Sequence, residues 1–304
     1  HGHEDHLGAV PFLLREFDLA VYGTRLTLGL LRHRLAEHGL EASARLFPIA
    51  RDARFRVGNF DVEAFPVCHS IPDAVGYVLR CPEGIFVHTG DFKIDPYPLD
   101  GVPTGVERLR AISAAEGVTA LFSDSTNVER EGVSPPEKFV GEALAEIFGQ
   151  APGRVVVAMF SSNLHRIQEA IKAAGRCGRR VALCGKSMVR NVATAIDLGY
   201  LALPSPDILI PVEEAASLPD RAVAVLTTGS QGEPRSALTL MALGEHKHLK
   251  VRPGDTIVLS SKFIPGNERA IAGVINRFFL AGAEVLYEKI SEVHVSGHAS
   301  VEEL

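Results

Sequence analysis

From residue 154 onward, four short apolar runs, at 154–159, 180–183, 222–226 and 256–259, each lead through a polar turn into a helical pattern. Repetition of strand, turn and helix is the signature of βα units and predicts a parallel sheet over this half of the chain. The turns are Phe160-Ser161-Ser162-Asn163, Gly185-Lys186-Ser187, Thr227-Thr228-Gly229-Ser230-Gln231-Gly232 and Ser260-Ser261-Lys262. All are rich in small hydroxyl residues or glycine, and ligands of such sheets bind at the carboxyl ends of the strands, where these turns lie.

The first half reads differently. Strands are predicted at 19–22, 45–49, 54–57, 61–67, 76–80, 85–88 and 118–122, with helices at 24–38 and 106–116. Thr24 stands as N-cap of the first helix and Gly39 as its C′ glycine. So many short strands before the next helix predict a mixed sheet. Ser134-Pro135-Pro136-Glu137 reads as a further helix start, with a capping serine, a proline at N1 and a glutamate at N3. A length of 304 residues suits about two domains.

Composition excludes several classes. Hydrophobic residues at 46%, charged residues at 22% and a mean hydropathy of +0.12 do not fit a disordered or fibrous chain. No apolar stretch is long enough for a membrane span. Cys68, Cys81, Cys177 and Cys184 are scattered, without a CxxC pair, in a chain large enough to fold without disulfides, which favours a reducing cytosol. The formal charge of −6 gives no reason to expect a polyanionic partner. It averages unlike regions, however. Residues 154–190 hold eight basic residues against the single acid Glu169, so this stretch is at +7 and the remainder at −13. A solvated basic face on two helices is one reading. The other is a basic domain that neutralises a phosphate backbone, paired with an acidic one that supplies carboxylates to metal ions.

Histidine carries the chemistry. Three of the 12 histidines lie in His1-Gly2-His3-Glu4-Asp5-His6, an HxHxDH cluster. In an extended segment residues i and i+2 point the same way, so His1 and His3 can grip one metal ion, while Asp5 and His6, on the turn that follows, point toward a second. Imidazole with carboxylate suits zinc, and the carboxylate-rich half tolerates manganese. A dinuclear site also needs a third nitrogen and a shared carboxylate. His69, just after an apolar strand pattern, and Asp91, in His88-Thr89-Gly90-Asp91-Phe92 after another, stand at suitable places. Alone, the first reads as a hydrogen-bonded structural histidine and the second as a turn former, but the HxHxDH cluster reverses both readings.

In this order these residues resemble the metal motifs of the metallo-β-lactamase fold. The second half resembles the β-CASP insertion of its nucleic-acid-processing members, with Asp124 in Ser123-Asp124-Ser125-Thr126 at the acidic motif and His298 in Val295-Ser296-Gly297-His298-Ala299-Ser300 at the first β-CASP histidine. The strings ending at Lys93 (His88-Thr89-Gly90-Asp91-Phe92-Lys93), Thr227 to Pro234 and Ile264-Pro265-Gly266-Asn267-Glu268 narrow the resemblance to the bacterial ribonuclease J family. It implies an α/β fold: a metallo-β-lactamase αββα-type sandwich with an inserted β-CASP α/β domain whose sheet is mainly parallel. Residues 1–136 would form the first domain, 137–296 the insertion and 297–304 the start of the return. An opening on His1 reads as a fragment, truncated at both ends, that lacks the first metal-motif strand and the last histidine of the second metal site.

By the same resemblance His1, His3 and His69 would bind one zinc, Asp5 and His6 the other, and Asp91 would bridge them. This implies two Zn2+ per active site, with Mn2+ or Mg2+ as alternatives, and a bridging hydroxide that attacks the phosphodiester. Asp5 counts among the catalytic residues, with Asp124, which would orient a neighbouring histidine, and His298, which would either stabilise the developing oxyanion or protonate the leaving 3′-oxygen. RNA would contact Phe160, Ser161, Ser162, Asn163, His165 and Arg166 at the 5′ end, and His294, Val295, Ser296, Gly297, His298 and Ser300 near the metals. Gly229, Ser230, Gln231 and Lys262 are weaker candidates of the same kind. Without the resemblance, the strand-to-helix turns read as ordinary caps.

The resemblance thus implies a cytoplasmic, metal-dependent ribonuclease of RNA processing and decay, ribosomal RNA included, with 5′-to-3′ exonuclease and endonuclease activity. Its partner would be RNA with 5′-monophosphate ends, with no membrane, and the full-length protein would be a homo-oligomer. A β-CASP DNA nuclease, a small-ester metallo-hydrolase and an inactive RNA-binding scaffold are the alternatives.

Overall fold

The computed structural model describes residues 1–304, which divide into two units: His1–Pro136 with Ser296–Leu304, and Glu137–Val295. In the first unit, the short helices α1 (Glu4–Leu7) and α2 (Val10–Glu16) follow the leading histidines. Strand β1 (Ala20–Gly23) runs into α3 (Arg25–Glu37) and then β2 (Arg45–Pro48), which pairs parallel with β1. Buried Leu26, Leu30, Leu31 and Leu35 recur along α3 at helical spacing.

Strands β3 (Arg54–Val57), β4 (Phe60–Pro66), β5 (Val75–Cys81) and β6 (Gly84–His88) pair antiparallel in chain order. Helix α4 (Val106–Glu116) then crosses back, so that β7 (Ala120–Phe122) joins β6 in parallel. The sheet is therefore mixed. Strand alternation packs Phe65, Val78 and Val87 with Ile112 of α4 in one apolar cluster. Beside it the buried Glu63 of β4 accepts hydrogen bonds from Arg108 of α4 and Arg80 of β5 and pairs with Arg54 of β3.

Two glycines shape the turn that carries Asp91. A Cβ at Gly76 would lie 2.8 Å from the carbonyl oxygens of both His88 and Thr89, closer than a side chain tolerates, so glycine lets β5 approach the end of β6. Gly90 has a φ of 62°, a left-handed conformation open to glycine without strain.

In the second unit, α5 (Lys138–Gln150) precedes β8 (Val155–Ala158), α6 (Leu164–Arg176), β9 (Arg180–Cys184), α7 (Lys186–Asp197) and β10 (Leu209–Ile210). The chain continues through α8 (Val212–Ala215), β11 (Val223–Thr227), α9 (Ala237–Ala242), β12 (Thr256–Leu259), α10 (Glu268–Leu280) and β13 (Glu284–Tyr287). All six strands are parallel, in the order β10-β9-β11-β8-β12-β13. Strands β8, β11 and β12 are buried along their whole length, as strands covered on both faces must be.

Two expectations need correction here. The helix predicted to start at Ser134 begins at Lys138. Its intended capping groups have tertiary partners instead: Ser134 Oγ donates to the carbonyl of His298, and the Glu137 carboxylate takes Arg166. The basic stretch is also less exposed than its count suggests. Arg154, Arg166 and Arg179 are buried. Arg154 makes a two-point pair with Asp255, Arg166 makes another with Glu137, and Arg179 donates to the carbonyls of Phe148, Ala151, Gly153 and Val223. These three arginines hold the fold, and of the others Lys172 and Arg180 pair with Glu169 and Asp207.

Candidate metal centre

His1 and His3 precede α1, whose first turn sets Asp5 and His6 apart from them; His69 follows β4 and Asp91 follows β6. The ligand atoms of His1, His3, His69 and Asp91 lie within 4.8 Å of one another, and so do those of Asp5, His6 and Asp91. Asp91 is common to both groups. Its Oδ2 is 3.5 Å from His1 Nε2, 3.1 Å from His6 Nε2 and 3.9 Å from His69 Nε2.

His69 Nδ1 is 2.7 Å from the Gly297 carbonyl oxygen. A carbonyl only accepts, so Nδ1 carries the proton and Nε2 keeps its lone pair. Burial, with His3 and His298 close by, holds the pKa of His69 well below the usual histidine range, which leaves the ring neutral as metal ligation requires. Its Nε2 lies 3.2 Å from His3 Nδ1. His1 Nε2 is buried with no hydrogen-bond partner. An orphaned buried nitrogen, further imidazoles and one carboxylate make a donor set that fits a cation such as zinc. The second group has more oxygen and is more open, with Asp5 exposed and His6 about a third exposed.

Next to both groups, Asp91, Asp124 and His298 also bring ligand-type atoms within 4.8 Å. Asp124 Oδ2 accepts from Nδ1 of His298 at 2.8 Å and from the backbone N–H of Phe92, while Oδ1 accepts from Thr126 N–H. Burial pushes Asp124 up, but the bonds from His298 and Thr126 outweigh it and hold the carboxyl at about 2. In the same way burial lowers His298, and Asp124 overrides it, so that His298 stands above the ordinary histidine value.

Within the first unit, the hydroxyl oxygens of Ser296 and Ser300 both have internal partners. Ser296 Oγ accepts the N–H of His298, and the buried Ser300 Oγ accepts from Asn127 and contacts Ser134. In the second unit, Phe160, Ser161 and Ser162 form the turn at the carboxyl end of β8, and Asn163 caps α6 by accepting the N–H of Arg166. His165 is half-buried on the first turn of α6, and His294 pairs with Glu288 at 3.6 Å. Gly229 and Ser230 are buried in the turn after β11, and Lys262 is exposed.

Three residues read as phosphate contacts face inward instead. Arg166 gives its guanidinium to Glu137 and to the carbonyls of Ser260 and Val295. Gln231 braces the turn by donating to Ser261 Oγ and the Lys262 carbonyl and accepting from Ile264 N–H. Ser300 is held as described above. The reason is common to all three: a polar group that is buried takes the partners of the interior.

Sequence reasoning missed two supporting hydroxyls. Ser70 Oγ lies 3.3 Å from His3 Nε2, and Thr89 Oγ1 accepts the N–H of Asp124. Each adjoins a motif residue, His69 or Gly90, and adjacency was the signal available.

Residues 1–182 match the family model of the beta-lactamase superfamily domain, and residues 152–278 match that of the ribonuclease J beta-CASP domain. Ribonuclease J of Thermus thermophilus is 49% identical over 311 aligned residues, which cover all of this chain and 54% of that protein. The chain belongs to the ribonuclease J family. Among other ribonuclease J proteins, that of Helicobacter pylori J99 is 42% identical, with 100% of this chain and 44% of that protein covered. That of Mycolicibacterium smegmatis is 44% identical, with 100% and 54% covered. The chain spans about half the length of the curated ribonuclease J relatives it matches. Its mixed α/β structure carries the metallo-β-lactamase and β-CASP domains of the family. A solved structure of a protein of unknown function from Enterococcus faecalis V583 shares the fold, with a TM-score of 0.62 at 15% identity over 94% of this chain and 66% of that one.

Proposed function

We propose that this chain is the cleaving part of a metal-dependent ribonuclease with 5′-to-3′ exonuclease and endonuclease activity, acting in RNA processing and decay. The observation that carries the reading is the convergence of the two donor groups on Asp91, with the Asp124–His298 couple alongside. His1, His3 and His69 would hold one divalent cation and Asp5 and His6 the other, with Asp91 common to both groups. Bound there, the cations supply Lewis acidity toward a phosphodiester and lower the pKa of water to a usable range.

The chain's own residues do the rest. Gly297 fixes the tautomer of His69, so that Nε2 faces the centre. Asp124 accepts the hydrogen bond from His298 Nδ1–H and favours the charged ring, which leaves Nε2–H as a donor for a developing oxyanion or the leaving 3′-oxygen. At the 5′ end, the hydroxyls of Ser161 and Ser162 and the N-terminus of the 13-residue helix α6 suit a terminal phosphate. No helix is long and apolar enough to cross a membrane, and four scattered cysteines outside any disulfide suit the cytoplasm.

The test uses full-length protein and labelled RNA bearing one or three 5′ phosphates, with Zn2+, Mn2+ or Mg2+ or with chelator. Metal-dependent mononucleotide release that prefers the monophosphate is expected. Release independent of the 5′ state removes the end-recognition reading, and absence of cleavage with every cation removes the nuclease reading.

A further inference from the structure

One carboxylate outside the metal centre gathers three separate segments of the first unit. Glu303 Oε1 accepts the backbone N–H of Ile94 at 3.0 Å, and Oε2 accepts those of Ser134 at 2.7 Å and Ser300 at 2.9 Å. Ile94 follows Asp91 closely, and Ser300 follows His298. Ser134 extends the network: its hydroxyl donates to the His298 carbonyl at 2.6 Å and lies 3.0 Å from Ser300 Oγ, which also takes Asn127 Nδ2. A backbone bridge joins Asn127 to Ser300 as well.

The bond from Glu303 to Ser300 belongs to a capping box at the last helical turn. The bonds to Ile94 and Ser134 do not, and local capping gives no account of them. They tie the loop that carries His298 to the segment that follows Asp91. A carboxylate that accepts several N–H bonds holds them more strongly than a neutral group would. Its removal leaves the buried Ser134 and Ser300 without these partners. The Ser134 hydroxyl that holds the His298 carbonyl is then itself held less firmly, beside the contacts His298 makes to Asp124 and Ser296.

We propose that Glu303 is a positioning residue for His298, acting through Ser134 and Ser300; this rests on the reading that the centre cleaves RNA. The test takes the full-length protein, E303A, E303Q, S134A and the E303A/S134A double variant through three measurements: cleavage kinetics on 5′-monophosphorylated RNA, zinc affinity by chelator competition, and amide hydrogen exchange of residues 296–300. E303A lowers kcat by about tenfold or more, while KM and zinc affinity stay within about twofold, because misplacing a reacting group weakens the chemical step rather than binding. E303Q keeps one acceptor oxygen and falls between. The double variant is little worse than E303A, because both changes release the same loop. Exchange of the 298–300 amides is faster in E303A than in the wild type.

A kcat for E303A within about twofold of wild type overturns the proposal, as do additive losses in the double variant or a parallel loss of zinc affinity. If the wild type cleaves no RNA with any cation, the nuclease reading fails separately. Exchange then still decides the anchoring: faster exchange in E303A supports it, and unchanged exchange overturns it.

Discussion

Nδ1 of His298 lies 2.8 Å from Oδ2 of Asp124. The carboxylate, held at about 2, is ionised and can only accept, so the proton sits on Nδ1. This pair favours the charged form of His298, and the first prediction follows from it.

Asp124→Asn removes the group that raises His298. A histidine whose pKa is raised keeps its charged form until pH climbs through that raised value, so the variant loses the charged ring at lower pH. The basic limb of the kcat profile moves toward acid, and kcat at neutral pH falls by about 10²-fold or more. A pH profile of cleavage checks this, and an unmoved basic limb contradicts it.

His69→Ala removes a nitrogen from the first donor group and is expected to abolish both zinc retention there and cleavage, while RNA binding is largely kept. Gly297→Ala is a milder version of the same change. Its Cβ would lie 3.0 Å from His69 Cε1 and 3.1 Å from Nδ1, so the ring must shift. Chelator competition should show zinc affinity reduced by about 10–100-fold, the scale on which outer-shell partners of a ligand act.

Arg166→Met leaves Glu137 buried beside two unpaired carbonyls. Loss of one partner of a buried pair costs about 3–5 kcal/mol, measurable by denaturant unfolding of the second unit. The double variant Arg166→Met with Glu137→Met recovers a large part of this, because no buried charge remains. A loss of RNA affinity without loss of stability would instead make Arg166 a phosphate contact.

Glu63 accounts for part of the acid sensitivity of the first unit. Hydrogen bonds from Arg108, opposed by burial and joined by Arg80, hold it at about 2. A carboxyl depressed on folding stabilises above its unfolded value and loses that contribution as pH falls through the interval down to about 2. Glu63→Gln is therefore less stable than wild type at neutral pH, and the difference narrows on acidification across this interval. Thermal melts at stepped pH check both statements.

Much of this was legible in the sequence because it is local. The strands at 54–57 and the helix at 106–116 follow from periodicity and coincide with β3 and α4. The parallel sheet of the second unit follows from repeated strand, turn and helix, and the six strands bear it out. The donor types of the metal centre stand in HxHxDH, His69 and Asp91, since the choice of imidazole and carboxylate is itself the chemical signal.

By itself, then, the sequence determined most of the strands and helices, their order and the kinds of ligand on offer. Tertiary structure alone decided which polar groups are available. Arg166 stands in the first turn of α6, a place from which an arginine could reach a phosphate, yet its guanidinium is taken by Glu137. Ser134 has the local form of a helix cap and supports His298 instead. A hydrogen bond between residues 29 or 164 positions apart leaves no periodic trace, because burial and partner choice arise only when distant segments pack together.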